Sequence, residues 1–251
     1  MAPFHVVIPA RYGSERLPAK PLAMIAGKPL IQHTFERAIA SGAIDVTVAT
    51  DDERIVEACR AFGADAMLTA ATHASGTDRI AEVAAKRDWQ PDAIIVNLQG
   101  DEPLMSPPLI AAVAQKLAAA DRAGIATLAT PITDPGEFKN PNAVKVVCDA
   151  EAHALYFSRA PIPANRAADG KPHGTLGLRH IGLYAYRVET LQTLTQMLPC
   201  PLELAERLEQ LRALWLGIDI VVGTVDPAPP AGVDTAADLA RVEAAMLNLI
   251  T

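Results

Sequence analysis

The chain has 251 residues, half of them apolar, and a formal charge of −7. That size suits one large domain, or a domain with a small lobe, around a sizeable core. The acidic balance argues against a nucleic-acid binder, which needs a basic face, and no run approaches the ~20 apolar residues of a membrane span.

Cys59, Cys148 and Cys200 are odd in number, far apart and without metal-ligand spacing, which reads as buried or idle thiols in a reducing compartment. The first residues lack a basic segment ahead of a long apolar run, so no signal peptide is expected, and the protein is expected to be soluble and cytoplasmic.

Strand and helix patterns alternate through the first half. Phe4–Ile8 reads as a strand, and Ile31, Phe35 and Ala38 lie at helical spacing before a capping Gly42. Val46–Thr50 is a second strand, and Asp52 starts a helix running to about Phe62, before Gly63. A weak strand at Ala66–Leu68 and a helix from about Asp78 to Arg87 follow. Ala93–Leu98 is the strongest strand pattern, apolar and β-branched as expected when both faces are covered. Such alternation predicts a mostly parallel sheet with right-handed crossovers.

After about residue 130 the pattern changes. Val144–Val147, Ala154–Phe157 and His180–Tyr186 read as strands without full helices between them, which predicts an antiparallel insertion at about 131–187 within one domain spanning 1–251. Asn165–Gly177 reads as a mobile loop. A helix over about Leu202–Leu216 is expected to bury Leu204, Leu208, Leu211 and Trp215. Ile218–Val225 is a strand, and Leu239, Val242, Met246 and Leu249 stripe a last helix.

Five segments are candidates for chemistry. The loop after the first strand places Arg11, Arg16 and Lys20 within ten residues, framed by Gly13 and Ser14. A cationic, small-residue loop at the C-terminal end of a first strand is where an open α/β sheet holds phosphates. It is not a Walker A loop, because no Gly-Lys-Ser/Thr opens a helix. Gln99-Gly100-Asp101-Glu102-Pro103 follows the strongest strand, where an Asp faces the ligand crevice and suits Mg²⁺, although Gly-Asp and Pro also make ordinary turns.

Asp234 suits an N-cap of the last helix, or Thr235 with Asp238 forms a capping-box variant instead; Asp234 is also a candidate second metal ligand. Ser75-Gly76-Thr77 offers hydroxyls and N–H groups at a helix start, or is a plain cap. Glu209 and Gln210 lie off the apolar stripe, which alone reads as a solvated face.

Taken in order, these segments resemble the sugar-acid cytidylyltransferases. The resemblance is carried by Pro9-Ala10-Arg11-Tyr12-Gly13-Ser14, Arg16-Leu17-Pro18 and Lys20-Pro21-Leu22, then by Ser75-Gly76-Thr77, Arg79 and Gln99–Pro103. Asn140-Pro141-Asn142, Val144–Val147, Ala154–Arg159, Arg179–Arg187, Leu208–Arg212 and Gly232–Thr235 continue it, from about residue 4 to 246. Glu15 and Ala19 depart from the pattern, where the family more often has a small or hydroxyl residue and a Gly, and 165–177 is poorly matched.

The resemblance implies a Rossmann-like α/β fold of the nucleotide-diphospho-sugar transferase type with an antiparallel dimerisation lobe, hence a homodimer. It implies transfer of CMP from CTP to the anomeric hydroxyl of 3-deoxy-manno-octulosonate (Kdo), for lipopolysaccharide assembly, with release of pyrophosphate. Arg11, Gly13, Ser14, Arg16 and Lys20 would hold the triphosphate, with Ser75, Gly76, Arg79 and Gln99 completing the nucleotide site. Asp101 and Asp234 would bind Mg²⁺, and Arg159 would take the Kdo carboxylate. Gln99, His180, Tyr184, Glu209 and Gln210 would orient its hydroxyls. Arg11, Lys20, Asp101 and Asp234 would carry catalysis. Acylneuraminate or amino-substituted Kdo is an alternative acceptor, a sugar phosphate with another nucleotide a more distant one, and a non-catalytic nucleotide-binding module a further alternative.

Overall fold

A computed structural model describes residues 2–13, 16–164 and 177–248. Ser14, Glu15, Leu249 and all of the expected loop except Gly177 lie outside them. The chain forms two compact units, residues 1–112 with 229–251, and residues 113–228.

In the first unit, β1 (His5–Ala10) is followed by the short hairpin β2 (Met24–Ile25) and β3 (Lys28–Pro29) and by α1 (Leu30–Ala40). Then come β4 (Asp45–Thr50), α2 (Glu53–Ala61), β5 (Asp65–Leu68), α3 (Gly76–Lys86), β6 (Ile94–Asn97) and α4 (Pro107–Ala118), which carries the chain onward. The sheet order β6-β1-β4-β5 is parallel throughout, with Val7 paired to Thr47 and Asn97. β1 is apolar on both faces because both are covered: Val6, Val7 and Ile8 are fully buried. Asp52 caps α2 as expected, its Oδ1 accepting from Arg54 N at 2.9 Å.

The second unit holds β7 (Ile125–Pro131), α5 (Pro135–Lys139), β8 (Lys145–Cys148), β9 (Ala154–Ser158), β10 (Leu178–Arg187), α6 (Val188–Gln196), α7 (Pro201–Glu206), α8 (Gln210–Trp215) and β11 (Ile220–Thr224). β11 runs parallel to β7, whereas β7–β10, β10–β8 and β8–β9 are antiparallel. The antiparallel change expected past residue 130 is therefore present.

The single helix expected over 202–216 is two. Arg207 adopts the left-handed conformation (φ 53°, ψ 49°) between α7 and α8 and resets the helical phase. Leu208 and Leu211 are buried, but Leu204 is 66% and Trp215 57% exposed, so the four residues do not share one face.

The chain returns to the first unit with α9 (Ala236–Asn248). Val242 and Met246 pack with Ile25, Leu30 and Val233, fastening the last helix to the hairpin. Among the described residues no helix is long and apolar enough to cross a membrane.

Candidate functional site

The first unit contains a cleft of about 420 Å³ at the C-terminal end of β1. The predicted residues Arg11, Gly13 and Lys20 line it from the loop, Ser75 and Gly76 from the start of α3, and Gln99 and Asp101 from the segment after β6.

Close backbone packing builds the walls. A Cβ on Gly100 would lie 2.9 Å from Pro9 O, and one on Gly232 would lie 2.7 Å from Asp101 O, so both approaches require glycine. The latter turn is fixed by Val233 N donating to Asp101 O at 2.8 Å, which brings Asp234 beside Asp101.

The cap of α9 decides what Asp234 is for. Thr235 and Asp238 make the reciprocal cap: Asp238 N donates to Thr235 Oγ1 at 3.2 Å, and Thr235 N to Asp238 Oδ2 at 3.0 Å. Asp234 is left to other partners. Lys20 Nζ lies 2.5 Å from Asp101 Oδ2, 3.2 Å from Asp234 Oδ1 and 3.0 Å from Val233 O. Arg16 reaches the same Asp234 oxygen at 3.2 Å.

Burial pulls the Lys20 pKa down, but the charges and hydrogen bonds of the two aspartates outweigh it, and the net shift is upward. Two carboxylates from distant chain positions thus converge on one cation. That donor set fits Mg²⁺, which takes one or two carboxylates and completes its shell with water and phosphate oxygens. Among the described residues no group of three or more His, Cys, Asp or Glu is arranged to hold a metal alone.

Glu102 is a residue sequence reasoning passed over. Burial, then the neighbouring Asp101 and Asp234 carboxylates, push it up to about 7. The signal available was a second acid directly after Asp101.

Ser75 caps α3 in a full capping box with Asp78. Arg79 lies in the wall rather than at the surface of the cleft. It is fully buried, with its Nη2 on Asp51 Oδ2 at 2.9 Å and Nη1 on Thr69 Oγ1 at 2.5 Å. Gln99 Nε2 donates to Asn97 Oδ1 at 2.9 Å.

The remaining predicted residues belong to the second unit. Lys145 is paired with Ser158 on one side and Arg179 on the other, so Arg159 and His180 follow adjacent register positions across three strands. His180 packs on Phe157 (5.1 Å between ring centroids) and Tyr184 (5.2 Å). Its Nε2 is 3.0 Å from Thr127 Oγ1, a hydroxyl that donates to backbone carbonyls and so accepts from Nε2–H. Burial, then Arg179, lowers His180 to about 3, and burial raises Tyr184 well above its usual range, so both are neutral hydrogen-bonding groups at pH 7.

Glu209 and Gln210, at the start of α8, line a small pocket with Tyr186 and Arg212. Gln210 Nε2 is buried with no hydrogen-bond partner among the described residues, as a donor awaiting a ligand oxygen would be.

Comparisons with known proteins supply the family. The family described as Cytidylyltransferase matches residues 5–220. The chain is 55% identical to 3-deoxy-manno-octulosonate cytidylyltransferase of Halorhodospira halophila, over 95% of each chain. It is 56% identical to the protein of that name from Pseudomonas fluorescens Pf-5, over 95% of this chain and 96% of that one. A solved structure of CMP:2-keto-3-deoxy-manno-octonic acid synthetase complexed with CTP superposes with a TM-score of 0.91 at 45% identity, covering 98% of this chain and 99% of that one. A cytidylyltransferase from Leptospira borgpetersenii, 16% identical with a TM-score of 0.65 over 99% of this chain and 88% of that one, shares the fold.

Proposed function

We propose that this chain, which belongs to the cytidylyltransferase family, transfers CMP from CTP to the anomeric hydroxyl of Kdo and releases pyrophosphate. The observation that carries this reading is the Lys20–Asp101–Asp234 cluster in a cleft also lined by Arg11, Ser75 and Gly76. The relatives named for Kdo and the CTP-bound neighbour support the choice of both substrates.

The physical problem is repulsion. A sugar oxygen, on an acceptor that carries a carboxylate, must approach an α-phosphorus shielded by a polyanion. Two like charges ~4 Å apart at an effective dielectric of ~20 repel by about 4 kcal/mol. Arg11, Arg16 and Lys20 cancel that charge along the triphosphate, and the Ser75–Gly76 helix start and Gln99 receive the nucleoside. Ser14 belongs to the same loop by sequence, outside the described residues. Arg79 then acts from behind, holding α3 to Asp51 and Thr69.

Asp101 and Asp234 would hold Mg²⁺, which when bound would polarise the α-phosphoryl group and acidify the attacking hydroxyl. In the second unit Arg159 pairs with the Kdo carboxylate, while His180, Tyr184, Glu209 and Gln210 position its hydroxyls. No covalent enzyme intermediate is required, since positioning and charge stabilisation dominate such transfers.

The reading extends to a homodimer formed through the antiparallel strands, a cytoplasmic location and a role in lipopolysaccharide assembly. Sedimentation tests the first through the particle mass, and cell fractionation the second.

The deciding assay is pyrophosphate release from CTP with Kdo, with and without Mg²⁺. Release is expected only when all three are present, and Asp101→Asn should fall to background while keeping its circular dichroism spectrum. Release with acylneuraminate or amino-Kdo but not Kdo would overturn the acceptor. Near-normal turnover of Asp101→Asn would overturn the metal site.

A further inference from the structure

Two side chains of the second unit grip the two ends of one residue. Lys145 is fully buried, and its Nζ donates to Ala143 O (2.6 Å), Asn140 O (3.0 Å) and Arg159 O (2.6 Å), which uses all three ammonium hydrogens. On the other side the Glu206 carboxylate accepts from Arg159 N at 2.9 Å and from Ser158 Oγ at 2.7 Å. Arg159 is thus held through its carbonyl by a cation and through its N–H by an anion.

Its side chain closes the same frame. Nε donates to Glu206 O at 2.7 Å, Nη1 to Pro141 O at 3.0 Å and Nη2 to Arg207 O at 3.4 Å. These carbonyls lie on the two segments that Lys145 and Glu206 fasten, 140–143 and 206–207. Each terminal nitrogen of Arg159 keeps one further N–H for a ligand oxygen.

Burying an ammonium costs desolvation, which its three carbonyl acceptors offset here, and an apolar side chain of similar volume would leave those acceptors without the donor. What the charge adds is direction at Arg159. A guanidinium already locked in place loses little rotamer freedom when a ligand arrives.

We propose that Lys145 and Glu206 are positioning residues for the sugar-acid acceptor, acting through Arg159 by fixing its backbone and aiming its two remaining N–H groups at the acceptor carboxylate. The inference rests on the reading of Arg159 as the carboxylate-binding residue.

The test is steady-state kinetics of pyrophosphate release for Glu206→Ala, Arg159→Met and the double variant, with KM measured separately for Kdo and CTP. Glu206→Ala is expected to raise KM for Kdo roughly tenfold, about the worth of one charge-assisted hydrogen bond, while KM for CTP stays within about twofold. Because Glu206 acts through Arg159, the double variant is expected to be no worse than Arg159→Met alone. Lys145→Met should show the same split between the two KM values, and the Glu206 arm decides alone where that variant does not fold. An unchanged KM for Kdo in folded Glu206→Ala, or additive losses in the double variant, overturns the positioning role. Arg159→Met with an unchanged KM for Kdo would instead overturn the carboxylate reading.

Discussion

Lys20 shows how one residue serves two partners. Its ammonium stands between Asp101 and Asp234, where the proposed Mg²⁺ would sit, yet the triphosphate needs the same charge. Metal and lysine would then compete for the aspartates until nucleotide arrives. Nucleotide-free Lys20→Met is expected to bind Mg²⁺ roughly tenfold more tightly than the parent by calorimetry, although its use of CTP falls. Equal affinities would show that the ammonium does not compete.

Ala19, directly before it, sits at φ 54° and ψ 30°, a left-handed conformation that penalises a Cβ. Ala19→Gly is therefore expected to stabilise the fold by about 1 kcal/mol, read as a higher denaturation midpoint, and a lower midpoint would contradict it. The departure from the family's usual glycine was visible in the sequence. Its cost became visible only with the backbone angle.

His180 gives a pH dependence with a definite sign. Its folded pKa, about 3, lies below the ordinary 6.5, so the unfolded chain binds the proton more readily. The neutral ring's contribution is complete above pH 6.5 and is lost as pH falls towards 3, on the order of 5 kcal/mol in total. In urea titrations the stability difference between the parent and His180→Gln is expected to shrink between pH 6.5 and 4. A difference that stays constant would refute this.

At the scale of elements, legibility followed contrast. β1, β4 and β6 were readable because their apolar runs stand between polar helix starts, and α2 because Asp52 announces its cap. α4 and β7 fall in a stretch, 104–130, that the sequence reading left without assignment. It is rich in alanine, which suits either a helix or a covered strand and gives neither period. The expected 202–216 helix failed because periodicity assumes an unbroken phase, and nothing local marks Arg207 as left-handed.

The site shows the same limit. Arg11, Lys20, Asp101 and Asp234 were legible as candidates, and the fold brings Arg11, Lys20 and Asp101 to one cleft with Lys20 against both aspartates. The partner of Arg79, Asp51, is 28 residues away, and the carbonyls around Lys145, although 2, 5 and 14 residues away, carry no side-chain pattern that announces a lysine folded onto them, so their burial could not be read from spacing.

At the scale of the molecule, the first unit is assembled from two separate stretches of sequence, 1–112 and 229–251, with 113–228 between them. This has a consequence for synthesis on the ribosome, where domains tend to fold in the order they emerge. Val233, Asp234 and α9 are translated after the whole of the second unit, and Asp234 is half of the proposed metal pair. The second unit is complete in sequence before the first can close. Nascent chains arrested with residues up to 228 exposed are therefore expected to release CTP and Mg²⁺, whereas chains with residue 248 exposed retain them. Retention by the shorter chains would show that the closing segment is dispensable. Release by the shorter chains would mean that the nucleotide site forms only after the second unit has been made, so that a chain still short of Asp234 does not draw on the CTP pool.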